Sequence, residues 1–275
     1  MDFLTAAVLG LVQGLTEFLP VSSSAHLSVA GRFLGQEDPG AAFTAITQLG
    51  TEAAVLIYFW RDIWRIVRQW SLALVGKVPQ SDPDARMGWL VILGSIPIGV
   101  LGLVFQDSIE TQLRSLWITA TMLLVFSFVI LVAEKVGRQT KQMRELSWRD
   151  GIIYGLWQAA ALIPGVSRSG GTISGGLFLG YTREAAARYS FLLAIPAVLA
   201  SGGFQLYKSL NETTAIGVAW GPLWLATGIS FVVGFVVIAW FMRYISTHTF
   251  TPFILYRIVL ALVLFALLGF GVIAP

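Results

Sequence analysis

Residues 164–172 read Pro-Gly-Val-Ser-Arg-Ser-Gly-Gly-Thr and interrupt a long apolar sequence. Glycine lets a backbone approach a ligand closely. The stretch therefore offers hydroxyls, free backbone N–H groups and one fixed positive charge, and this combination favours an anion-binding site. The residues that would form the site are Ser167, Arg168, Ser169, Gly170 and Thr172.

The whole chain is strongly apolar, so a single arginine inside one of its apolar segments calls for a physical explanation. Of 275 residues, 56% are hydrophobic and only 12% are charged, and the mean hydropathy is +0.76. These values indicate an all-α integral membrane protein. The absence of cysteine excludes a disulfide framework and a thiolate metal site. The pI of about 9.3 does not indicate nucleic acid binding, because the basic residues fall in predicted loops.

Six apolar runs are long enough to cross about 30 Å of hydrocarbon as helices. They are residues 43–60, 88–106, 116–134, 187–207, 222–242 and 253–273. Two further apolar regions, 2–34 and 151–180, are broken in the middle, and each gives two helices that are mostly too short to span. Broken helices at membrane depth are tolerated where the freed backbone is buried or lines a cavity. We therefore predict two re-entrant helix–loop–helix hairpins.

The two broken regions resemble each other at a constant offset of 145 residues. Gly10 corresponds to Gly155, and Val21-Ser22 correspond to Val166-Ser167. Each copy is followed by three spans, so the second copy must enter the membrane from the opposite side, as in inverted-repeat transporter folds. The chain is predicted to be one membrane domain, with repeat 1 over residues 1–134, a cytoplasmic linker over 135–150 and repeat 2 over 151–275.

The distribution of basic residues predicts the orientation of this fold. Thirteen Lys and Arg fall in four loops on one side of the predicted topology, and only Arg114 and Lys208 fall on the other. The four basic loops are residues 61–87, residues 135–150, the segment after the second hairpin that carries Arg183 and Arg188, and residues 243–252. The basic face is therefore predicted to be cytoplasmic. Both termini and the mouth of the first hairpin are then expected on the outer face.

Polar residues around the first break are the other candidates for chemistry. Gln13 and Glu17 are spaced i, i+4 and share a helix face, and an ionisable residue inside a membrane is a functional candidate. Three serines, Ser22, Ser23 and Ser24, begin the next helix, where serines ordinarily act as caps. A serine could attack phosphorus if a base lies near, and His26 follows within the first turn.

Three other charged residues lie in the apolar regions. The Arg168 guanidinium is a planar fork suited to two phosphate oxygens; the alternative is a structural role in which it ties together carbonyl groups freed by the break. Glu52, in the first full span, could extend the polar cavity or pair with a basic partner. Arg257, near the cytoplasmic end of the last span, is expected to extend to the membrane surface.

Together, Gln13-Gly-Leu-Thr-Glu-Phe-Leu-Pro-Val-Ser-Ser-Ser-Ala-His26 and residues 164–172 resemble the undecaprenyl-diphosphate phosphatase family, also called bacitracin-resistance proteins. The resemblance extends through Gln48-Leu-Gly50 and Tyr256-Arg257, so it covers nearly the whole chain. It implies hydrolysis of undecaprenyl diphosphate at a bacterial plasma membrane, which recycles the lipid carrier of peptidoglycan synthesis. It also implies a divalent cation and a site open to the outer face.

The resemblance also implies roles for the candidate residues. Glu17, helped by Gln13, is expected to position Mg²⁺ or Ca²⁺, although the family motif admits Glu or Gln at position 13 and the amide here removes one anionic ligand. The attacking group is Ser23 activated by His26, His26 itself, or a water that His26 deprotonates. The diphosphate is expected to lie against Arg168 and against Ser22, Ser24, Ser167, Ser169, Gly170 and Thr172.

Two further questions concern function class and assembly. Inverted repeats with broken helices are also the architecture of transporters, so a lipid-carrier flippase is the alternative to the enzyme. A structural scaffold would leave Glu17, His26 and Arg168 without a purpose. Small residues on one span, Gly94, Gly99 and Gly102, could support close helix packing, and a homodimer is the preferred assembly.

Overall fold

The structure is a computed structural model that describes residues 1–35, 40–211 and 219–274. Within these ranges it is α-helical, without β-strands. Its α-helices are α1 (Phe3–Thr16), α2 (Ser23–Phe33), α3 (Gly40–Tyr58), α4 (Trp60–Leu74), α5 (Pro83–Val104), α6 (Gln106–Glu110), α7 (Leu116–Val136), α8 (Trp148–Ala159), α9 (Arg168–Phe178), α10 (Arg183–Asn211), α11 (Trp220–Ile245) and α12 (Thr251–Gly269).

Among the described residues, five helices are long and apolar enough to cross a membrane by length and composition. These are α5, α7, α10, α11 and α12, and a sixth span is counted if the bent pair α3 and α4 is taken together. The prediction of an all-α, multi-pass membrane protein is confirmed. The α10 helix, which has 29 residues, and the α11 helix, which has 26, extend beyond the predicted runs, because helical backbone continues past the apolar segment into the polar loops.

One helix lies in a region that was predicted to be a loop. Residues 61–87 were expected to be a basic loop, but Trp60–Leu74 forms α4, bent by 78° from α3. Its inner face buries Asp62, Ile66 and Ala73. Since arginines occupy its other side, the segment is too polar to be recognised as a span, although its apolar residues follow helical spacing.

Both broken regions have the predicted helix–break–helix form, and their breaks share an unusual backbone conformation. Ser22 has φ 73° and Ser167 has φ 71°, at positions 145 residues apart. Non-glycine residues rarely adopt positive φ, and such strain persists only where the surroundings hold it in place. Each serine directly precedes a helix, α2 in the first case and α9 in the second.

The first helix of each broken region packs on a long helix from the other half of the chain. Helix α1 lies along α11, and α8 lies along α5. The approach is close in both places: a Cβ at Gly10 would lie 2.5 Å from the Ala226 carbonyl oxygen, and one at Gly155 would lie 2.5 Å from that of Gly94. Helix α3 packs on α10 and α11, and α7 packs on α12. The two halves of the chain are thereby interlocked.

Three of the four basic loops lie together on one face of this bundle. Arg188 contacts Asp62, and Arg86 donates a hydrogen bond to the Arg144 carbonyl oxygen at 2.9 Å. On the same face, Arg183 pairs with Glu134. These contacts bring the segments around residues 61–87, 134–150 and 181–188 to one end of the molecule.

Candidate active site

The Glu17 carboxylate is the centre of a hydrogen-bonded cluster where the two breaks meet. Glu17 lies just beyond the end of α1 and is 6% exposed. Its Oε2 accepts hydrogen bonds from Gln13 Nε2 at 2.8 Å and from Ser23 Oγ at 2.6 Å. Its Oε1 accepts one from Arg168 Nη2 at 2.7 Å. Three of the predicted site residues, Gln13, Ser23 and Arg168, therefore converge on one carboxylate.

Arg168 reaches this carboxylate from the opposite half of the chain. It is the first residue of α9, so its side chain projects from the helix beginning at the second break. Ser169 reinforces the junction, because its hydroxyl donates to the Leu19 carbonyl oxygen at 2.9 Å. The Arg168 side chain as a whole is 15% exposed, and its Nη1 atom is buried.

Glu52, whose role the sequence left open, belongs to the same cluster. It comes from α3, is 1% exposed, and has its Oε2 3.9 Å from Arg168 Nη1. A carboxylate in the middle of a span was the sequence signal for a functional residue. Its partner could not be identified before the fold brought α3 and α9 together.

The serines at the two breaks are paired at similar distances, but the serine before α9 caps its helix and the serine before α2 does not. Ser22 and Ser24 hydroxyls lie 3.2 Å apart, and those of Ser167 and Ser169 lie 3.1 Å apart. Ser167 Oγ also accepts from the Gly170 backbone N–H at 3.1 Å and caps α9, as serines at such positions do. Ser22 makes no such capping bond.

Thr172, predicted to bind substrate, uses its hydroxyl within the protein. It donates to the Arg168 carbonyl oxygen at 2.7 Å and makes a hydrogen bond with Ser190. The side chain is fully buried. In this arrangement Thr172 supports the backbone of Arg168 instead of facing the space between the breaks.

Neither ring nitrogen of His26 is hydrogen-bonded to Ser23, the serine that His26 would activate in one of the three predicted mechanisms. Its Nδ1 lies 2.7 Å from the Ser22 carbonyl oxygen and its Nε2 lies 2.6 Å from the Tyr256 hydroxyl. A carbonyl oxygen can only accept, so Nδ1 must carry the proton, and in the neutral ring Nε2 accepts from the tyrosine. Ser23, in contrast, donates to Glu17. The acceptor positioned for the Ser23 proton is therefore Glu17.

Two cavities adjoin the first break. The larger, of about 600 Å³, has almost entirely apolar walls from α1, α11 and α12, and the His26–Tyr256 pair lies on its wall. Its apolar lining includes Leu15, Leu19, Val236, Trp240 and Phe253. The smaller, of about 30 Å³, has a mixed lining of Ser24, Ser28, Thr44, Arg114 and Pro164. Both cavities thus include residues next to the first break.

Arg257 is fully buried, so the expectation that it extends to the membrane surface is wrong. Its guanidinium donates to the Pro20 carbonyl oxygen at 3.1 Å and to the Gly165 carbonyl oxygen at 2.9 Å. Contacts with the carbonyl oxygens of Val166 and Leu123 and with the Ser127 hydroxyl complete its surroundings. The structural role considered for Arg168, tying together carbonyls freed by a break, is carried out by Arg257 for both breaks at once.

The donor atoms of the cluster fit a hard divalent cation. No group of three or more His, Cys, Asp or Glu side chains suited to a metal occurs among the described residues. The cluster nevertheless has two carboxylates and one amide, and Gln13 Oε1 and Glu52 Oε1 are buried without a hydrogen-bond partner in the described structure. Mg²⁺ commonly uses one or two carboxylates and completes its coordination with water and substrate phosphates.

Comparison with known proteins agrees with the motifs at the two breaks. The family model described as "Bacitracin resistance protein BacA" matches residues 6–263. Undecaprenyl-diphosphatase of Micrococcus luteus is 63% identical over 276 residues, which cover 100% of both chains. Undecaprenyl-diphosphatase of Renibacterium salmoninarum is 58% identical over 99% of this chain and 98% of its own. Undecaprenyl-diphosphatase 2 of Streptomyces coelicolor is 61% identical over 100% and 98%, respectively. This chain belongs to the bacitracin resistance protein family.

Proposed function

We propose that this protein hydrolyses undecaprenyl diphosphate to undecaprenyl phosphate and inorganic phosphate. The observation that carries the proposal is the contact of Glu17 with both Ser23 and Arg168 beside an apolar cavity, together with the names of the full-length relatives. The product would return the lipid carrier to peptidoglycan synthesis, and the activity would confer bacitracin resistance.

Arg168 is the proposed clamp for the diphosphate. A guanidinium binds two phosphate oxygens in one plane and neutralises their charge. Backbone N–H groups at the starts of α2 and α9 favour the same anion. Ser22, Ser24, Ser167 and Ser169 would contribute hydroxyls around it, and Gly170 would keep the approach to α9 open. Phosphoryl transfer depends mainly on such positioning and charge stabilisation.

Ser23 is the proposed nucleophile, and Glu17 is the acceptor of its proton. The Ser23 oxygen would form a bond to the terminal phosphorus while the bond from that phosphorus to the bridging oxygen breaks. The proton would pass to Glu17 Oε2, which lies 2.6 Å from the serine oxygen, and from there to the bridging oxygen of the departing undecaprenyl phosphate, so that Glu17 is again a carboxylate. Water would next attack the phosphoserine: Glu17 would accept a proton from the water and return it to the departing Ser23 oxygen as inorganic phosphate is released.

Glu17 and Gln13 are the residues proposed to hold Mg²⁺ or Ca²⁺. The unpartnered Gln13 Oε1 beside the Glu17 carboxylate supports this assignment. When bound, such a cation neutralises negative charge on phosphate oxygens.

The apolar cavity is the proposed entry point of the isoprenoid chain. Its walls are side chains of α1, α11 and α12, and the hydrogen-bonded His26–Tyr256 pair lies among them. A lipid tail of this length cannot be enclosed in 600 Å³, so its distal part would remain in the bilayer. His26 would position the lipid phosphate at the inner end of this cavity.

The architecture proposed for this enzyme is an inverted repeat with two re-entrant hairpins. Three observations support it: the matching positive φ at Ser22 and Ser167, the exchange of α1 and α8 onto helices of the other half, and the collection of basic loops on one face. We propose that the basic face is cytoplasmic. Both termini and the polar cavity would then face outward from a bacterial plasma membrane.

A homodimer is the proposed assembly, through the exposed side of α5. Gly94 is used within the chain, where it contacts Gly155, whereas a Cβ at Gly99 would meet nothing within 4 Å. A close helix–helix contact through Gly99 would use that space. Light scattering in detergent should give the mass of two chains, and a Gly99→Leu variant should give the mass of one.

Reconstitution into vesicles tests the proposed function against the flippase alternative. Purified protein should release inorganic phosphate from undecaprenyl diphosphate, and this release should not require movement of lipid between leaflets. Lipid movement without phosphate release would overturn the proposal in favour of a flippase.

A further inference from the structure

The charges in the Glu17 cluster do not balance. Glu17 is paired with Arg168 through a hydrogen bond of 2.7 Å, so these two charges offset each other. Gln13, whose amide donates to the same carboxylate, is neutral. When ionised, Glu52 adds a second negative charge, and its side chain is only 1% exposed. A net negative charge buried at membrane depth is costly unless another positive charge compensates it.

The contact of Glu52 with Arg168 does not satisfy this second carboxylate. Glu52 Oε2 lies 3.9 Å from Arg168 Nη1, beyond hydrogen-bond distance. Glu52 Oε1 and Arg168 Nη1 both lack hydrogen-bond partners in the described structure. Buried polar atoms are normally partnered, and an exception indicates a missing water, ion or ligand.

Gln13 provides a second, independent sign of a ligand. Its side chain is fully buried, its nitrogen is used by Glu17, and its Oε1 is also without a partner. The unsatisfied atoms on the acceptor side of the cluster are thus two oxygens, one anionic and one neutral. Oxygens of this kind are the ligands of Mg²⁺ and Ca²⁺.

We infer that Glu52 is the second carboxylate ligand of the divalent-cation site, supplying from α3 the negative charge that position 13 lacks. The inference rests on the proposed function and deepens it: the cation is held by Glu52, Gln13 and Glu17, and phosphate oxygens of the substrate complete its coordination.

A purely structural role for Glu52 makes a different prediction. If Glu52 only balanced the charge of Arg168, removal of the Glu52 carboxylate would change the surroundings of the guanidinium. The affinity of the protein for the cation would stay the same. Moving the carboxylate from position 52 to position 13 distinguishes the roles, because Gln13 contacts Glu17 and not Arg168.

Mn²⁺ binding measured by electron paramagnetic resonance, on purified protein without substrate, tests the inference directly. Glu52→Gln should weaken Mn²⁺ binding by about tenfold or more. The double variant Gln13→Glu/Glu52→Gln should restore the affinity to within about threefold of the wild type, since it again has two carboxylates. Glu184→Gln, which removes an exposed carboxylate on α10, should bind Mn²⁺ as the wild type does.

Three results would overturn the inference: no saturable Mn²⁺ binding by the wild type, unchanged affinity in Glu52→Gln, or no recovery in the double variant when it is folded. Folding is checked by the elution profile in detergent and by the thermal transition. Phosphate release is measured separately on the same preparations. A wild type that binds Mn²⁺ through Glu52 but releases no phosphate would refute the proposed function and leave the cation site standing.

Discussion

At the scale of single residues, Glu17 connects the parts of the site. One of its oxygens accepts from Arg168, and the other accepts from Gln13 and Ser23. A serine hydroxyl held at 2.6 Å from a buried carboxylate can transfer its proton over one short hydrogen bond. The same carboxylate fixes the orientation of the guanidinium. Glu17 thus contacts both the proposed nucleophile and the proposed clamp.

The identity of the nucleophile can be tested by trapping. With substrate labelled at the terminal phosphate and a rapid acid quench, the wild type should retain an acid-stable label on the peptide containing Ser23. Ser23→Ala should lose the label, and its turnover should fall by about 10³-fold or more. Ser24→Ala, a neighbouring serine with no contact to Glu17 among the described hydrogen bonds, should retain the label.

The outcome against this assignment is equally distinct. A label on His26 that is lost in the acid quench but retained in a parallel alkaline quench would identify the histidine as nucleophile. Absence of any trapped label under both quenches from an active wild type would favour direct attack by water.

Sequence reasoning identified the polar residues of the site but not all of their partners. Glu17, Ser23 and Arg168 stood out as polar groups in apolar surroundings, and the structure brings them into contact. The partner of His26 could not be predicted, since Tyr256 lies 230 positions away and only the packing of α12 brings it near. Spacing along one helix reveals a shared face, but not which distant helix that face meets.

At the scale of elements, the two breaks are held in place by one side chain from the last span. Arg257 on α12 donates to carbonyl oxygens of Pro20 in the first break and of Gly165 and Val166 in the second. Carbonyl groups freed by a helix break must find donors in a membrane. A single guanidinium satisfies them on both sides and fixes the distance between the breaks.

Replacement of Arg257 should therefore affect both stability and activity. Arg257→Met leaves several buried carbonyls without a donor, and we expect a loss of about 3 kcal/mol in unfolding free energy and a Tm lower by about 6–12 °C. Arg257→Lys should show a smaller loss, because an ammonium keeps the charge but cannot reach as many carbonyls. Tryptophan fluorescence in detergent measures the Tm, and phosphate release measures the activity of the site.

Arg243→Met, at an exposed position near the end of α11, is the matched control and should behave as the wild type. If Arg257→Met kept the wild-type Tm and turnover, the breaks would not depend on this side chain.

The elements differ in how far their sequences specify them. Long apolar runs identified the spans, because only a helix satisfies backbone groups in lipid. Helix α4 was not predicted, because its arginines make the segment as polar as a loop. Its buried residues Ile66 and Ala73 mark an inner face only once the helices packed against α4 are known. The prediction for Arg257 was wrong for a related reason. Hydropathy locates the ends of a span but does not show which face of the helix packs against the rest of the protein.

At the scale of the whole molecule, each half of the chain completes the other. Helix α1 packs on α11 and α8 packs on α5, so neither half could bury its broken helices alone. The site follows the same logic, with Glu17 and Ser23 from the first half and Arg168 from the second. The offset of 145 residues predicted that the breaks are equivalent; their meeting depends on packing that no single segment encodes.

The orientation of the molecule can be tested by labelling, because the chain has no cysteine. We expect Lys208→Cys, at the end of α10, to react with a membrane-impermeant maleimide added outside intact cells. Lys77→Cys, on the basic face, should react only after the membrane is opened. Both positions are exposed. The reverse pattern would show that the basic face is external and would contradict the predicted topology.

The central claim is that residues from both breaks form one phosphatase site, and phosphate release by Arg168 variants tests it most directly. In detergent with Mg²⁺, the wild type should convert undecaprenyl diphosphate to undecaprenyl phosphate with one inorganic phosphate per turnover. Arg168→Ala should reduce this rate by about 10²–10³-fold with an unchanged elution profile. Arg168→Lys should recover only part of the rate, since it lacks the planar fork. A folded Arg168→Ala protein that turns over at the wild-type rate would contradict the account.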